Sequence, residues 1–459
     1  MKRRGTLKAR WIDVVAIAFL GLLALTQFLP PAQSQSFHRD EARWIHRAVY
    51  LRELRHPLSA YWDEANWQGG GSSLDERYRL RGQPPLGSYL FGVGLLLQGR
   101  DLTTNGFWNM DRDANWNILN GNGPAIADLV AARRTNAVIG ALTVVAVYAL
   151  GRRLTNPVGG FAGATLLVFH PLMIEVASHA GSDTLLALML SLAALATAAL
   201  TERPTWPRAL MLGVLLGLGG ATKLTPLLIS LPLAIWGVAF LGGLLVERQP
   251  RRAALQRALG WRLLSLPLVA WGVFVATYPY LWSNPIASTR DMFQFRADGM
   301  NLQAAIFPNT AVGSPVEAMG RVGRKLGTDF TALGRFAVWL QEETGHLVDT
   351  RGIELALAVA GGVILLGLAI GRGPHSAPML VGLLFGAQTA MTIVGMRADF
   401  FRYHVPVLVV AAVCTGVLAG TLWGWRGMIS GLYRTRVVAQ RNAQARAPHQ
   451  AISESAHPS

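Results

Sequence analysis

Apolar residues fall along this chain in long unbroken blocks, neither alternating nor recurring at helical spacing. The first, "WIDVVAIAFLGLLALTQFLPP", covers 11–31. As a helix it spans roughly 30 Å, the thickness of a bilayer's hydrocarbon core. It is longer than the apolar stretch of a signal peptide and no A-x-A site follows, so it reads as a membrane span. Further blocks lie at about 135–151, 158–178, 184–200, 209–222, 224–246, 263–281, 353–371, 377–396 and 404–425. The pattern predicts an all-α integral membrane bundle of about ten transmembrane helices, with both termini on one side. The fifth block is short and pairs with the sixth as a hairpin turning at "ATKLTP". The piece "PPLGSYLFGVGLLLQ" (84–98) is apolar but short and Gly-rich, and counting it as a span would invert everything downstream.

The segments between blocks are uneven. Three on one side stand out: 32–134, 282–352 and the brief 397–403. In the first, Trp44, Ala48 and Leu51 recur at i, i+4 and i+7, with Asp40, Arg43, Arg47 and Glu53 on the other face. This predicts an amphipathic helix over 39–55 lying on the membrane. A polar, Gly-rich stretch (63–83) and the Asn- and Trp-rich "GFWNMDRDANWNILNGNGP" complete that segment. The second opens on "YPYLWSNP", whose aromatics suit interfacial anchoring. The residues after about 437 are polar and read as a disordered tail, 436–459, with no large outer domain after the last block.

Charge fixes the sidedness. With 84–98 left out, the segments on the N-terminal side carry 20 Lys and Arg against three acids, and the opposite side carries 22 of each. The net excess therefore lies on the side of the termini, which the positive-inside rule makes cytoplasmic. The expected location is the cell (inner or plasma) membrane, multi-pass, with 84–98 dipping into the outer interface. The formal charge of +16 arises in short loops between spans, touching membrane lipids and giving no reason to expect nucleic acid. The composition agrees: 51% of residues are hydrophobic and 15% charged, against about a quarter charged in soluble proteins. The single cysteine, Cys414, lies in the last block and excludes a disulfide framework or Cys-type metal site.

Candidate chemistry gathers at the outer ends of the spans. Asp40 and Glu41, Asp183 in "SHAGSDTLL", Lys223 in "ATKLTP" and Arg402 in "MRADFFRYHVP" all fall there. A carboxylate can take a proton from a hydroxyl, and a cation can hold a lipid-borne phosphate. Plainer readings stand beside each. Asp183 after Ser182 also reads as a helix N-cap, Asp40 as a cap of the amphipathic helix, Lys223 as a turn charge, and Arg402 as a snorkelling span end. His38, His179 and His404 show no metal-ligand spacing, so no metal is expected.

Taken in order, "RDEARWIHRAVYLREL", "RGQPPLGSYLFGVG", "RRTNAVIGALTVVAVYALGRRL", "HPLMIEVASHAGSDTLLALML", "GLGGATKLTPLL", "YPYLW" and "FRYHVPVLVVAA" resemble the GT-C fold, polyprenyl-phosphate-sugar-dependent glycosyltransferases. The resemblance is to the bacterial and archaeal relatives of the protein O-mannosyltransferases and to the lipid A aminoarabinose transferases, over about 37–425. It implies a GT-C-like catalytic domain over 1–435 and an inverting transfer of a sugar, hexosyl or pentosyl, at the extracytoplasmic face. The donor would be a polyprenyl-phosphate sugar and the acceptor a protein, lipid or glycan, with no cofactor. By position it makes Asp40 the general base, with Glu41 and Asp183 as its acidic companions. Arg402, Lys223 and Arg81 would bind the donor phosphate, and Gln83, Tyr403 and His404 would line the cavity. Gln83 departs from the family, which usually has His or Lys before "PPL". Two alternatives are carried forward: a transporter or flippase of lipid-linked sugars, and an inactive GT-C-like binding protein. A transporter would place ionisable groups near the bilayer midplane, and these spans are nearly free of them.

Overall fold

The computed structural model describes residues 2–63, 80–328 and 330–426. Among these residues every regular element is helical, and the lone pairing of extended chain is an isolated antiparallel bridge between Ala311 and Ala398. The expected tail, 436–459, and most of the Gly-rich 63–83 stretch lie outside the described residues.

Eight of the described helices are long and apolar enough to cross a membrane. Pro157–Phe169 and Pro171–Ser178, bent by 64° at their junction, make a ninth when counted as one broken span. Proline explains the bend. Pro171 offers no N–H and drives the residue before it out of the α region. His170 is accordingly extended, and its ring Nδ1 accepts from Leu172 N at 3.2 Å, capping the second half. The fifth predicted span, Trp206–Gly220, is a helix of 15 residues, too short to cross alone. Together these account for the ten blocks of the sequence.

Close helix contact relies on small residues, as is usual where lipid removes the hydrophobic drive between helices. A Cβ on Gly163 would lie 2.6 Å from the Ala412 carbonyl oxygen, so Pro157–Phe169 presses directly on the last helix. Gly361, in Ile353–Arg372, has the Cys414 carbonyl where its Cβ would stand.

The two ends of the bundle are chemically distinct. One gathers Asp13 with Arg152 and Tyr148, and Arg153 with Glu202. The other gathers Asp40, Asp183, Lys223 and Arg402. The apolar helix Leu86–Leu97 stays at this second end. Leu86 N donates to Ala221 O, and Gln98 Nε2 donates to Ala131 O at 2.8 Å. At about 18 Å it is too short to span.

The 39–55 segment departs from expectation. It forms three short pieces, Arg39–His46, Arg47–Val49 and Tyr50–Glu53, and it is packed inside the protein instead of lying on lipid. Trp44 is 4% exposed and stacks edge-on against Phe91 of Leu86–Leu97. Arg43 and Arg47, expected on a solvated face, are buried because the surrounding loops offer them carbonyls. Arg43 Nε donates to Trp108 O at 3.0 Å, and Arg47 donates to Gln83 O while lying 5.3 Å from the Trp44 ring. The Asn-rich loop forms the lid. Asn105 Nδ2 donates to Ala42 O and Asn122 O, and the fully buried Asn117 Nδ2 donates to Asn109 O. "YPYLW" is also corrected in part. Tyr278 is fully buried and donates to Leu80 O, whereas Trp282 stays 39% exposed, as an anchor should.

Candidate active site

Each candidate side chain stands at a helix end or turn. Asp40 occupies the first turn of Arg39–His46. That helix is capped by His38, whose ring Nδ1 accepts from Asp40 N at 3.2 Å, while Glu41 Oε2 accepts from His38 N at 3.0 Å. The Asp40 carboxylate is therefore not the cap. It forms an ion pair with Arg402, which sits in the short Phe401–His404 turn before the last span. Burial pushes the Asp40 carboxyl up, but the Arg402 charge, with help from His38 and Arg43, outweighs it and holds the group at about 2.

Glu41, the neighbouring acid, is occupied differently. It is 1% exposed and grips Arg133 in a fork, Nε to Oε1 at 2.8 Å and Nη2 to Oε2 at 2.7 Å. Ala180 N donates to Oε1 at 2.8 Å, and Arg133 also donates to Gln35 O and Ser36 O. This knot joins the end of the first span, the helix Ile126–Leu154 and the loop before Asp183. Sequence reasoning missed Arg133. The one available signal was an arginine pair inside "AARRTNA" at the mouth of a span.

Asp183 is the first residue of Asp183–Glu202. Ser182 precedes it with no side-chain capping bond, and the Asp183 carboxylate takes Lys223 Nζ at 2.5 Å. The N-cap reading thus gives way to an ion pair reaching across to the hairpin turn. Lys223 in turn lies over the Tyr403 ring at 5.6 Å. Arg402 lies 5.7 Å and Arg296 5.8 Å from the same ring. Tyr403 Oη accepts from Arg296 Nη2 at 3.1 Å and donates to Gln303 Oε1 at 3.0 Å. Three cations and two carboxylates from five separate stretches of chain thereby converge on one tyrosine. Arg296 was also missed, since an arginine on a polar helix such as Pro285–Ile306 carries no distinguishing pattern.

Arg81 and Gln83 are half-buried in the segment leading to Leu86, whose N–H bonds Ala221 O two residues before Lys223. His404 is 2% exposed and pairs with Asp399 at 2.6 Å, so it anchors the turn instead of facing the Tyr403 cluster. Among the described residues no three His, Cys, Asp or Glu side chains group as metal ligands do. The cluster has the parts to hold an anion on guanidinium and ammonium groups and to accept a proton on carboxylate.

Residues 126–273 match the family model "Dolichyl-phosphate-mannose-protein mannosyltransferase", about a third of the chain. Among solved structures, the oligosaccharyltransferase AglB from Archaeoglobus fulgidus, in complex with an inhibitory peptide and a dolichol-phosphate, superposes with a TM-score of 0.51 at 13% identity. That similarity covers 93% of this chain and 52% of AglB. ArnT from Cupriavidus metallidurans bound to undecaprenyl phosphate gives a TM-score of 0.49 at 17% identity, covering 89% of this chain and 60% of that one. The chain thus spans little more than half the length of these solved proteins. No curated protein matches. The fold is that of the membrane-embedded GT-C glycosyltransferases. Over residues 126–273 the chain is similar to the dolichyl-phosphate-mannose-protein mannosyltransferases, as its motifs suggest.

Proposed function

We propose that this protein transfers a sugar from a polyprenyl-phosphate carrier to an acceptor hydroxyl at the extracytoplasmic face of the membrane, inverting the anomeric centre. The observation that carries the reading is the Asp40–Arg402 pair, a proton acceptor and a phosphate partner held in direct contact beside the Lys223–Asp183 pair. The family match and the fold of the dolichol-phosphate-bound AglB support it.

The ion pair sets the order of events. A carboxylate held at about 2 is a weak base. A donor phosphate offers Arg402 a competing charge-assisted partner whose two free oxygens match the guanidinium fork. Once Arg402 turns to the phosphate, Asp40 loses the charge that depresses it and becomes a better base. The acceptor oxygen then attacks C1 of the sugar from the face opposite the phosphate. Asp40 takes the hydroxyl proton as the new C1–O bond forms. The bond from C1 to the phosphate oxygen breaks, and its electron pair stays on the lipid phosphate, stabilised by Arg402 and Lys223. Asp183 positions Lys223, and Glu41 with Arg133 positions the helix that presents Asp40.

The test is to incubate the purified protein with a panel of polyprenyl-phosphate sugars and to read donor hydrolysis or product mass. Turnover of at least one donor, lost in Asp40→Asn, is the expected result. Binding of bare polyprenyl phosphate without turnover of any donor would instead establish the inactive binding reading.

A further inference from the structure

A second group of cations lies outside the Tyr403 cluster. The outer helix Pro315–Gly327 and the turn leading to the last span border an open cavity of ≈450 Å³, lined by Arg321, Arg324, Lys325, Phe330, Asp399 and Phe401 among others. Phe401 belongs to this cavity, whereas the next residue, Arg402, belongs to the pair with Asp40. The two sites are thus neighbours separated by one step of the chain.

The lining carries three cations and one carboxylate, while Glu317 and Glu175 act on Arg324 and Lys325 from outside it. Arg321, Arg324 and Lys325 stand at i, i+3 and i+4, which places all three on one helix face, where like charges oppose the helix. The one carboxylate on the wall, Asp399, is already engaged by His404 at 2.6 Å and Arg321 at 3.6 Å. Arg321 is also held by Glu317 at 3.0 Å. Neither Arg324 nor Lys325 has a carboxylate within ion-pair distance among the described residues, and Lys325 rests over the Phe401 ring at 4.9 Å. A single carboxylate ligand would neutralise one charge. A phosphate ester fits better, with its several acceptor oxygens and its match to the guanidinium fork. The volume falls in the range of about 300–1,000 Å³ that holds small-molecule ligands and exceeds what a bare phosphate fills. The Phe330 and Phe401 rings give the rest of such an ester an apolar wall.

We propose that this cavity is a second anion site that takes a phosphate ester, borne either on a membrane lipid headgroup or on a soluble molecule. The proposal stands whether or not the Asp40 centre transfers sugar. The experiment uses the full chain in neutral detergent and follows inorganic phosphate and short-chain phosphatidic acid separately by phosphorus NMR line width. The double variant Arg324→Ala, Lys325→Ala leaves the Arg321 pairs with Glu317 and Asp399 in place, and its melting temperature serves as the folding control. It should weaken binding by about tenfold or more, while Arg402→Ala leaves this binding in place. Phosphatidic acid binding alone would identify a lipid headgroup as the source, and binding of inorganic phosphate would identify a soluble one. The proposal falls if neither probe binds, if the double variant binds both probes as the native chain does, or if Arg402→Ala alone removes the signal.

Discussion

Asp40 and Glu41 are adjacent and chemically alike, yet their surroundings assign them opposite behaviour. Glu41 has every oxygen occupied by Arg133, Ala180 N or His38 N, and it is buried. Asp40 is bonded to Arg402, with His38 farther off at 3.8 Å, and Arg402 is the residue a phosphate would compete for. Asp40→Asn should therefore lower turnover by about 10²–10⁴-fold, while binding of bare polyprenyl phosphate, measured by titration, stays unchanged or tightens because Arg402 is released. Glu41→Ala should act on stability instead. Removing one partner of a buried pair costs about 3–5 kcal/mol by exposing the other to an uncompensated interior, which thermal unfolding in detergent would detect. The ion pair also makes a claim about pH. A depressed carboxyl stays ionised as pH falls and is lost as a base only below its folded value. The acid limb of kcat/KM, which reports the free enzyme, should lie below the ordinary Asp value of about 3.9, following the carboxyl held at about 2. The limb of kcat should stand higher, since bound phosphate occupies Arg402. Coincident limbs in the two profiles would remove the exchange of partners from the mechanism. The sequence marked Asp40, Asp183, Lys223 and Arg402 because a charge at a span end is conspicuous against apolar neighbours. It was silent on Arg133 and Arg296, since their partners are set by packing across the bundle.

At the scale of elements, apolar blocks translated directly into helices, because a block of about 20 residues leaves the backbone few other ways to satisfy its hydrogen bonds in lipid. The amphipathic 39–55 segment was harder to place. Its alternation of apolar and charged faces describes a helix on a membrane and a helix between two protein layers equally well. What decided the matter was the Asn-rich loop, whose side-chain amides bond the backbone of that helix, a contact no periodicity reveals. Helix contacts built on glycine were likewise invisible, since the chain is rich in glycine throughout. Gly361→Val should force Ile353–Arg372 away from Cys414, at a cost of about 1–3 kcal/mol or more. The melting temperature and the yield of folded protein would both fall, whereas Gly367→Val, which meets nothing within 4 Å, should leave them unchanged.

For the whole molecule, the segregation of Lys and Arg along the sequence leads us to propose that the two ends of the bundle face opposite sides of the membrane. If the proposed sidedness is right, a cysteine replacing the exposed Asn309 should react with an impermeant thiol reagent applied from outside the cell. One replacing Ala254 should react only after the membrane is opened. The buried Cys414 adds little background. Labelling of both from the same side would break the correspondence and, with it, the extracytoplasmic placement of the Tyr403 cluster.

The partners Asp40 and Arg402 stand 362 residues apart in sequence. A ribosome delivers Asp40 with the first span and Arg402 only as the last one begins. A growing chain therefore carries the base long before it carries its counter-charge, and contacts of such long range close late in folding. Quality control would have a direct chemical cue in this arrangement. Chains that fail to insert the final helix would expose the Asp40 carboxylate without Arg402, and of the two proposed phosphate partners only Lys223 would remain. Competence for sugar transfer would then appear in a single step at the end of synthesis, with no partially active precursor consuming the lipid-linked donor beforehand.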